Sequence, residues 1–292
     1  MNIHYNSLKE FIDNYESDIV HFCVSNNGGA KIAKNLAKSC KKHKIPLVFF
    51  GQDLGSLNKL SKYAITVNNI EDNPFRLNIC KDYSSNFVLF GTEEFKKLAW
   101  MRYEICKAIL DSNRTAIYLD IDIVVKKNYE RNILKYFSKE KNLDAVFQSN
   151  HINEICSGFF ALNKNSKEKV KKIFSEDFLS KNQYQSFSAP ADQGFINKIL
   201  LKKNNELLNI QKLPLDYYPN GYWWYKYHKL ISKNTFLVHY NGVIGDFRKI
   251  LKMVRHLDYF SFDIHNLIIY YLRDLISRIK FKLKKIIRNS SN

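Results

Sequence analysis

The chain has 292 residues and a formal net charge of +18, enough length for one large domain or two small ones. No run of about 18 apolar residues occurs, which argues against a membrane-spanning helix, and Met1 to Asp18 is too polar for a signal peptide. The five cysteines (Cys23, Cys40, Cys80, Cys106 and Cys156) form no C-x-x-C pair, so neither a zinc site nor a disulfide framework is expected; free thiols in a reducing, cytoplasmic setting are.

Strand and helix alternate from residue 19 onward, the pattern of a parallel sheet. Ile19 to Ser25 reads as a buried strand, Asn26 to Gly29 as a turn, and Ala30 to Lys44 as a helix with Ile32, Leu36 and Cys40 spaced by four. Leu47 to Phe50 is a second strand, Leu54 to Lys62 a short helix, and Ala64 to Val67 a third strand. Glu71 to Phe90 resists assignment. Thr92 starts a helix to Leu110, with Phe95, Leu98, Ala99, Arg102, Ile105, Cys106 and Ile109 at helical spacing. Thr115 to Leu119 is then a strand. Ala145 to Gln148 and Gly158 to Leu162 are further strands, Lys164 to Phe178 and Asp192 to Lys203 helices, and Phe236 to Tyr240 a late strand.

The last part of the chain differs. Residues 1–260 are read as one domain and 261–292 as a basic tail. In the tail, Ile264, Ile268, Leu272, Leu275, Ile279, Leu283 and Ile286 repeat at steps of four and three, while Arg273, Lys280, Lys284, Lys285 and Arg288 lie mostly off that line. This is a basic amphipathic helix, suited to an anionic membrane surface; a helix docked on the body with a solvated basic face satisfies the same spacing. Cations crowding its end favour the membrane. The tail carries seven Lys/Arg against two Asp, so most of the excess charge belongs to the body and points to a phosphate-bearing ligand.

The segment with most chemical content is Tyr118-Leu119-Asp120-Ile121-Asp122-Ile123-Val124-Val125. Strand period would place Asp120 and Asp122 on one face. Two carboxylates together in apolar surroundings are costly unless a cation joins them, and hard oxygen ligands suit magnesium, manganese or calcium. The pair sits at the C-terminal end of a strand, where ligands bind in open α/β sheets. His239, after Phe236-Leu237-Val238, can complete such a site, and Gly242, Gly245, Arg248 and Lys249 follow it with close backbone approach and cations suited to a diphosphate. Asp192-Gln193 opens a helix, where an acid also serves as a cap. Ile155 to Phe160 is a small-residue turn entering a strand. Pro219 to Tyr225 concentrates aromatics, which stack on sugar faces or fill a core patch equally well.

In this order the motifs resemble the nucleotide-diphospho-sugar transferase family with a GT-A fold, and more distantly the glycogenin-like retaining galactosyltransferases. The segments that carry the likeness are Val24 to Asn27, Lys96 to Arg102, Tyr118 to Asp122, Cys156 to Phe159, Asp192-Gln193 with Asn197, Leu213-Pro214 leading to Pro219-Asn220-Gly221, and His239 to Lys249. The resemblance implies an α/β, Rossmann-like nucleotide-sugar-binding domain with a mixed central sheet. It implies Asp120, Asp122 and His239 as ligands of manganese or magnesium, and Asn26, Asp53, Arg102, Gly242 and Lys249 around a UDP-sugar. Asp192 and Gln193 would lie by the anomeric carbon. The activity implied is transfer of a sugar to a hydroxyl on a glycan, glycolipid or protein, with retention. Two departures stand out: Ile250-Leu251 follows Lys249 where many relatives carry Pro-Trp, and no N-terminal anchor is found. A basic nucleic-acid- or membrane-surface-binding protein is the alternative, although no nucleic-acid motif occurs. A sugar-1-phosphate nucleotidyltransferase is a weaker one, since Asn26 to Lys31 only faintly echoes a phosphate loop.

Overall fold

The apolar runs become the interior of one eight-stranded sheet. The computed structural model describes residues 3–51, 53–68, 92–138, 141–150, 154–181, 192–201, 207–221, 223, 231–243, 245–256 and 258–260, with positions 268, 272, 275, 276 and 279. The strands of this sheet are β1 (His4–Tyr5), β2 (Ile19–Ser25), β3 (Leu47–Gly51), β4 (Ile65–Asn68), β5 (Thr115–Leu119), β7 (Ala145–Ser149), β8 (Ile155–Leu162) and β9 (Ile210–Leu213). They lie in the order β1-β4-β3-β2-β5-β8-β7-β9. Every neighbouring pair is parallel except the two that β8 makes, so β8 alone is reversed and the sheet is mixed.

Both sheet faces are covered, which is why the strands read as unbroken apolar runs. On one face Phe22, Phe50, Tyr118, Phe147 and Phe160 pack against Trp100, Tyr103 and Ile109 of helix α4 (Glu93–Asp111) and against α6 (Lys167–Ile173). On the other, Cys23, Phe49, Ile117, Leu119 and Phe159 meet α2 (Ala30–Lys42) and α3 (Leu54–Leu60). Thr92 caps α4 as expected, its hydroxyl accepting from the Phe95 N–H at 3.2 Å.

A second, two-stranded sheet pairs β6 (Ile123–Val125) antiparallel with β10 (Leu237–His239). It packs through Val124, Val238 and Tyr240 on Ile32 of α2 and on Ile250 and Met253 of α9 (Asp246–Arg255). Tyr240 and Lys126 both reach the buried Asp258 carboxylate, which ties the end of α9 to the body.

Several expectations are corrected. The helix expected over 164–178 is two, α6 and α7 (Glu176–Lys181), broken at Phe174-Ser175. The helix expected from Asp192 is one α-turn, α8 (Asp192–Phe195), followed by a π-helical stretch over Ile196–Leu201. β8 begins three residues before Gly158. Five elements were not foreseen: β1, the helix α1 (Leu8–Asn14) that follows it, β6, α5 (Glu130–Leu134) and β9. The segment Glu71 to Phe90 lies outside the described residues, as does most of the 261–292 tail. Among the described residues no helix is long and apolar enough to cross a membrane.

Phe160 is fully buried, with its ring 5.5 Å from Tyr103, 5.2 Å from Tyr118 and 5.3 Å from Phe147. Phe160→Ala is expected to lower unfolding stability by about 3–5 kcal/mol, measured by urea titration.

Candidate active site

The two sheets meet at the paired carboxylates. β5 ends at Leu119, and the Asp120 N–H donates to the Gly158 carbonyl at 2.7 Å. The chain then turns: the Ile123 N–H donates back to the Asp120 carbonyl at 3.1 Å, and β6 begins. The pair does follow the C-terminal end of β5, as expected, but Asp120-Ile121-Asp122 is itself a turn between sheets and not a stretch of strand with period-two spacing. The turn, and not the pleat, swings both carboxylates to one side.

His239 comes to them by register. It pairs with Ile123 across β10 and β6, so its ring stands beside Asp122. Nε2 is 3.1 Å from Asp122 Oδ1 and 3.5 Å from Asp120 Oδ2, and one ligand atom from each residue falls within 4.8 Å of the others. Gly158 makes this approach possible. A Cβ there would lie 2.1 Å from His239 Cε1 and 2.5 Å from Asp120 Oδ2. The expected small-residue turn thus has a steric reason.

Asp122 and His239 are both almost wholly buried. Burial pushes the Asp122 carboxyl up, but Lys249 of α9, with Nζ 2.5 Å from Oδ2, and His239 outweigh it and hold the group well below the usual carboxylate range. Burial lowers the His239 imidazole, and the Asp122 charge more than reverses this, leaving it well above its ordinary value.

Behind the turn lies a second charged cluster. Arg102, buried on α4, donates through Nε to the Ala99 carbonyl at 2.7 Å and through Nη1 to the Ser157 carbonyl at 2.8 Å. Nη1 also lies 3.4 Å from Asp120 Oδ1, and Nη2 donates to Asp192 Oδ1 at 3.2 Å. Tyr103 donates to the other Asp192 oxygen at 2.6 Å, and Tyr118 to Asp120 Oδ1 at 2.6 Å. The guanidinium also sits 4.6 Å from the Tyr118 ring centroid. Burial raises the Asp192 carboxyl against the pull of Arg102. Arg102 thus spends its donors holding carboxylates and a strand carbonyl in place.

These groups line one cavity of about 670 Å3, within the size range of small-molecule sites. It opens beyond the C-terminal ends of β2 and β5 and is lined by Asn26, Arg102, Asp120, Asp122, Asp192, Gln193, His239, Gly242 and Lys249. Asn26 closes the turn after β2 by accepting from the Gly29 N–H at 3.2 Å. Gly242 adopts a left-handed φ of 75° beside the cavity. Asp53 does not join this lining. It caps α3, accepting from the N–H groups of Ser56 at 2.7 Å and Asn27 at 2.6 Å. Of the aromatic run Pro219 to Tyr225, Tyr222, Trp224 and Tyr225 lie outside the described residues. Tyr103 is not among the residues expected from the sequence, although a tyrosine beside an arginine on the buried face of a strong helix is a signal for a polar network.

A family model for nucleotide-diphospho-sugar transferases matches residues 53–253, more than half of the chain. The chain belongs to that family. It is accordingly a glycosyltransferase with a GT-A fold. A solved structure of mouse xyloside xylosyltransferase 1 in its apo form aligns with a TM-score of 0.51 at 13% identity, over 78% of this chain and 99% of that one. The apo WbbM bifunctional glycosyltransferase aligns at TM-score 0.51 and 13% identity over 79% of this chain, which spans only 47% of WbbM. Apo GlyE of Streptococcus pneumoniae TIGR4 aligns at TM-score 0.50 and 12% identity, over 87% of this chain and 63% of that one. At such identities the likeness is one of fold. A search of curated proteins gives no match.

In the transferase, Arg102→Met leaves Asp192 and Asp120 without their shared cation. A stability loss of about 3–5 kcal/mol is expected, by denaturant unfolding. The double variant Arg102→Met/Asp192→Leu should lose clearly less than the sum of the two single changes.

Proposed function

We propose that the transferase moves a sugar from a UDP-sugar to a hydroxyl acceptor, with manganese or magnesium held by Asp120, Asp122 and His239. The observation that carries this reading is the convergence of two carboxylates and an imidazole within 4.8 Å inside a ligand-sized cavity. The donor set fits such an ion: hard carboxylate oxygens with one imidazole suit manganese or magnesium, and Gly158 keeps their common space clear. When bound, the ion would supply positive charge to the departing diphosphate. Lys249 pairs with the other Asp122 oxygen and lines the same cavity, where it would share that charge. Gly242 and Gly245, with φ of 75° and 89°, let the backbone before α9 pass close to the phosphates. Asn26, at the end of β2, is read as part of the nucleotide pocket, next to the mouth of the parallel strands.

Asp192 and Gln193 are read as lying by the anomeric carbon. Both Asp192 oxygens already accept hydrogen bonds, from Arg102 and Tyr103. This supports Asp192 as a buried anchor and disfavours it as a covalent nucleophile. Gln193 is a cavity-lining amide that would face the sugar. The resemblance implies retention, so attack would come on the face the diphosphate leaves. The acceptor is a hydroxyl on a glycan, glycolipid or protein.

Asp122→Asn keeps the size of the side chain and removes its charge. The variant is expected to lose manganese-dependent UDP-sugar hydrolysis by at least about 100-fold, followed by UDP release. Unchanged hydrolysis would overturn the reading.

For the tail over 261–292 we propose docking on an anionic membrane surface. Ile268, Leu272, Leu275, Ile276 and Ile279 are helical in backbone and remain 55%, 54%, 55%, 51% and 49% exposed. A helix docked on the body would hide such a row. With Arg273, Lys280, Lys284, Lys285 and Arg288 in the same segment, the pattern favours the edge of an anionic leaflet. In flotation assays the full chain should rise with phosphatidylserine vesicles and not with neutral ones, and the chain ending at Phe260 should rise with neither.

A further inference from the structure

Gln148 is fully buried near the end of β7, an amide directly after the apolar run Ala145-Val146-Phe147. Its Nε2 donates to two backbone carbonyls, Tyr218 at 3.0 Å and Pro219 at 3.2 Å. Carbonyl oxygens only accept, so these bonds fix which end of the amide is nitrogen. The oxygen end therefore faces His239, and Gln148 Oε1 lies 2.8 Å from Nδ1. An amide oxygen cannot donate, so Nδ1 must carry a proton. A neutral His239 is then forced into the Nδ1–H tautomer, with its lone pair on Nε2. That is the nitrogen aimed at Asp122 and Asp120. The neighbouring Cys156 sulfur, 3.7 Å from Nδ1, is a weak acceptor and no substitute.

The same amide braces the backbone around the ring. The His239 N–H donates to the Pro219 carbonyl at 3.0 Å, and Asn220 bridges to His239. Asn220 Nδ2 in turn donates to the carbonyls of Ser149 and Asn150 at 2.6 and 3.0 Å. The end of β7, the Pro219 turn and β10 are thus locked around one imidazole orientation.

We propose that Gln148 is a positioning residue of the transferase: it dictates the tautomer and direction of His239 and so sets the affinity of the site for its divalent ion. The inference rests on the reading of His239 as a ligand. Partners of this kind, behind a metal-binding imidazole, typically contribute about 10- to 100-fold in metal affinity.

The test is manganese binding by the full-length protein, read from the free-ion electron paramagnetic resonance signal, with urea unfolding run in parallel. Gln148→Leu removes the acceptor for Nδ1–H, and its manganese Kd is expected to rise about 10- to 100-fold. Gln148→Glu keeps an acceptor for Nδ1–H but gives up both donors to Tyr218 and Pro219. It should lose stability yet hold its manganese Kd within about threefold of wild type, since the ring keeps its partner. A purely structural Gln148 would make affinity follow stability in both variants, and that pattern overturns the proposal. Should the leucine variant fail to fold, the glutamate variant decides alone, a Kd raised tenfold or more counting against. His239→Gln separates the two readings. If it leaves manganese binding unchanged, the ligand role of His239 and the proposal fall together. If it weakens binding while Gln148→Leu does not, only the positioning role falls.

Discussion

A carboxylate buried at the junction of two sheets is the constraint around which the rest is arranged. Asp122 is 4% exposed, and an ionised group so placed is tolerable only with opposite charge and hydrogen bonds at contact distance. Three elements remote in sequence supply them. β10 delivers His239 through strand register, α9 delivers Lys249, and the reversed strand β8 contributes Gly158, whose missing side chain lets the groups approach. The reversal of β8 matters here. Because it runs against β5, its start and not its end lies beside Asp120, so Ser157 and Gly158 reach the mouth of the sheet.

The small sheet ties the last part of the body to the site. β6 follows directly from the Asp120–Asp122 turn but finds its partner more than 100 residues later, in β10. Val124, Val238 and Tyr240 then pack on α9, and the Asp258 carboxylate holds Tyr240 and Lys126. Losing the α9 packing would loosen β10, hence His239, hence the carboxylate turn. Part of the site's rigidity comes from this outlying layer, since among the described residues the Tyr240 N–H joins Gly158 and Ile123 in bonding the backbone of the turn.

The parallel half of the sheet was legible because its strands are buried on both faces and show as apolar runs, and α4 because it is long, amphipathic and capped by Thr92. β1, β6 and β9 have two, three and four residues, too few for a period to appear. The π-helical stretch after Asp192 and the break at Phe174-Ser175 arise from packing that local spacing does not record. In the site, Asp120, Asp122, His239 and Lys249 were found from chemistry and chain position, and they do converge. The reason first given was wrong in one respect: a turn, not a strand face, aligns the acids. Asp53 shows the opposite hazard. An acid just before a helix looks the same whether it serves a ligand or a cap, and here its oxygens are used by Ser56 and Asn27. Gln148 carried a usable signal, a lone amide in an apolar strand, but its partner is 91 residues away, and no local pattern names it.

The charge balance of the cluster bears on why donor and ion would belong together. Asp120, Asp122 and Asp192 face the cations Arg102 and Lys249 and the imidazole of His239, so opposite charge already lies beside the carboxylates. On the proposed reading, a divalent ion held among them would add positive charge. In a buried cavity such an excess would be costly, and on the proposed reading the diphosphate of the donor would offset it. Lys249 pairs with Asp122 in the structure, and on the proposed reading it would turn toward a phosphate oxygen when another cation took its place. Arg102 has no such freedom, because its donors are committed to Ala99, Ser157 and Asp192. On the proposed reading the two cations therefore divide the work: Arg102 keeps the acidic wall in place, and Lys249 is the one whose partner changes when the donor binds.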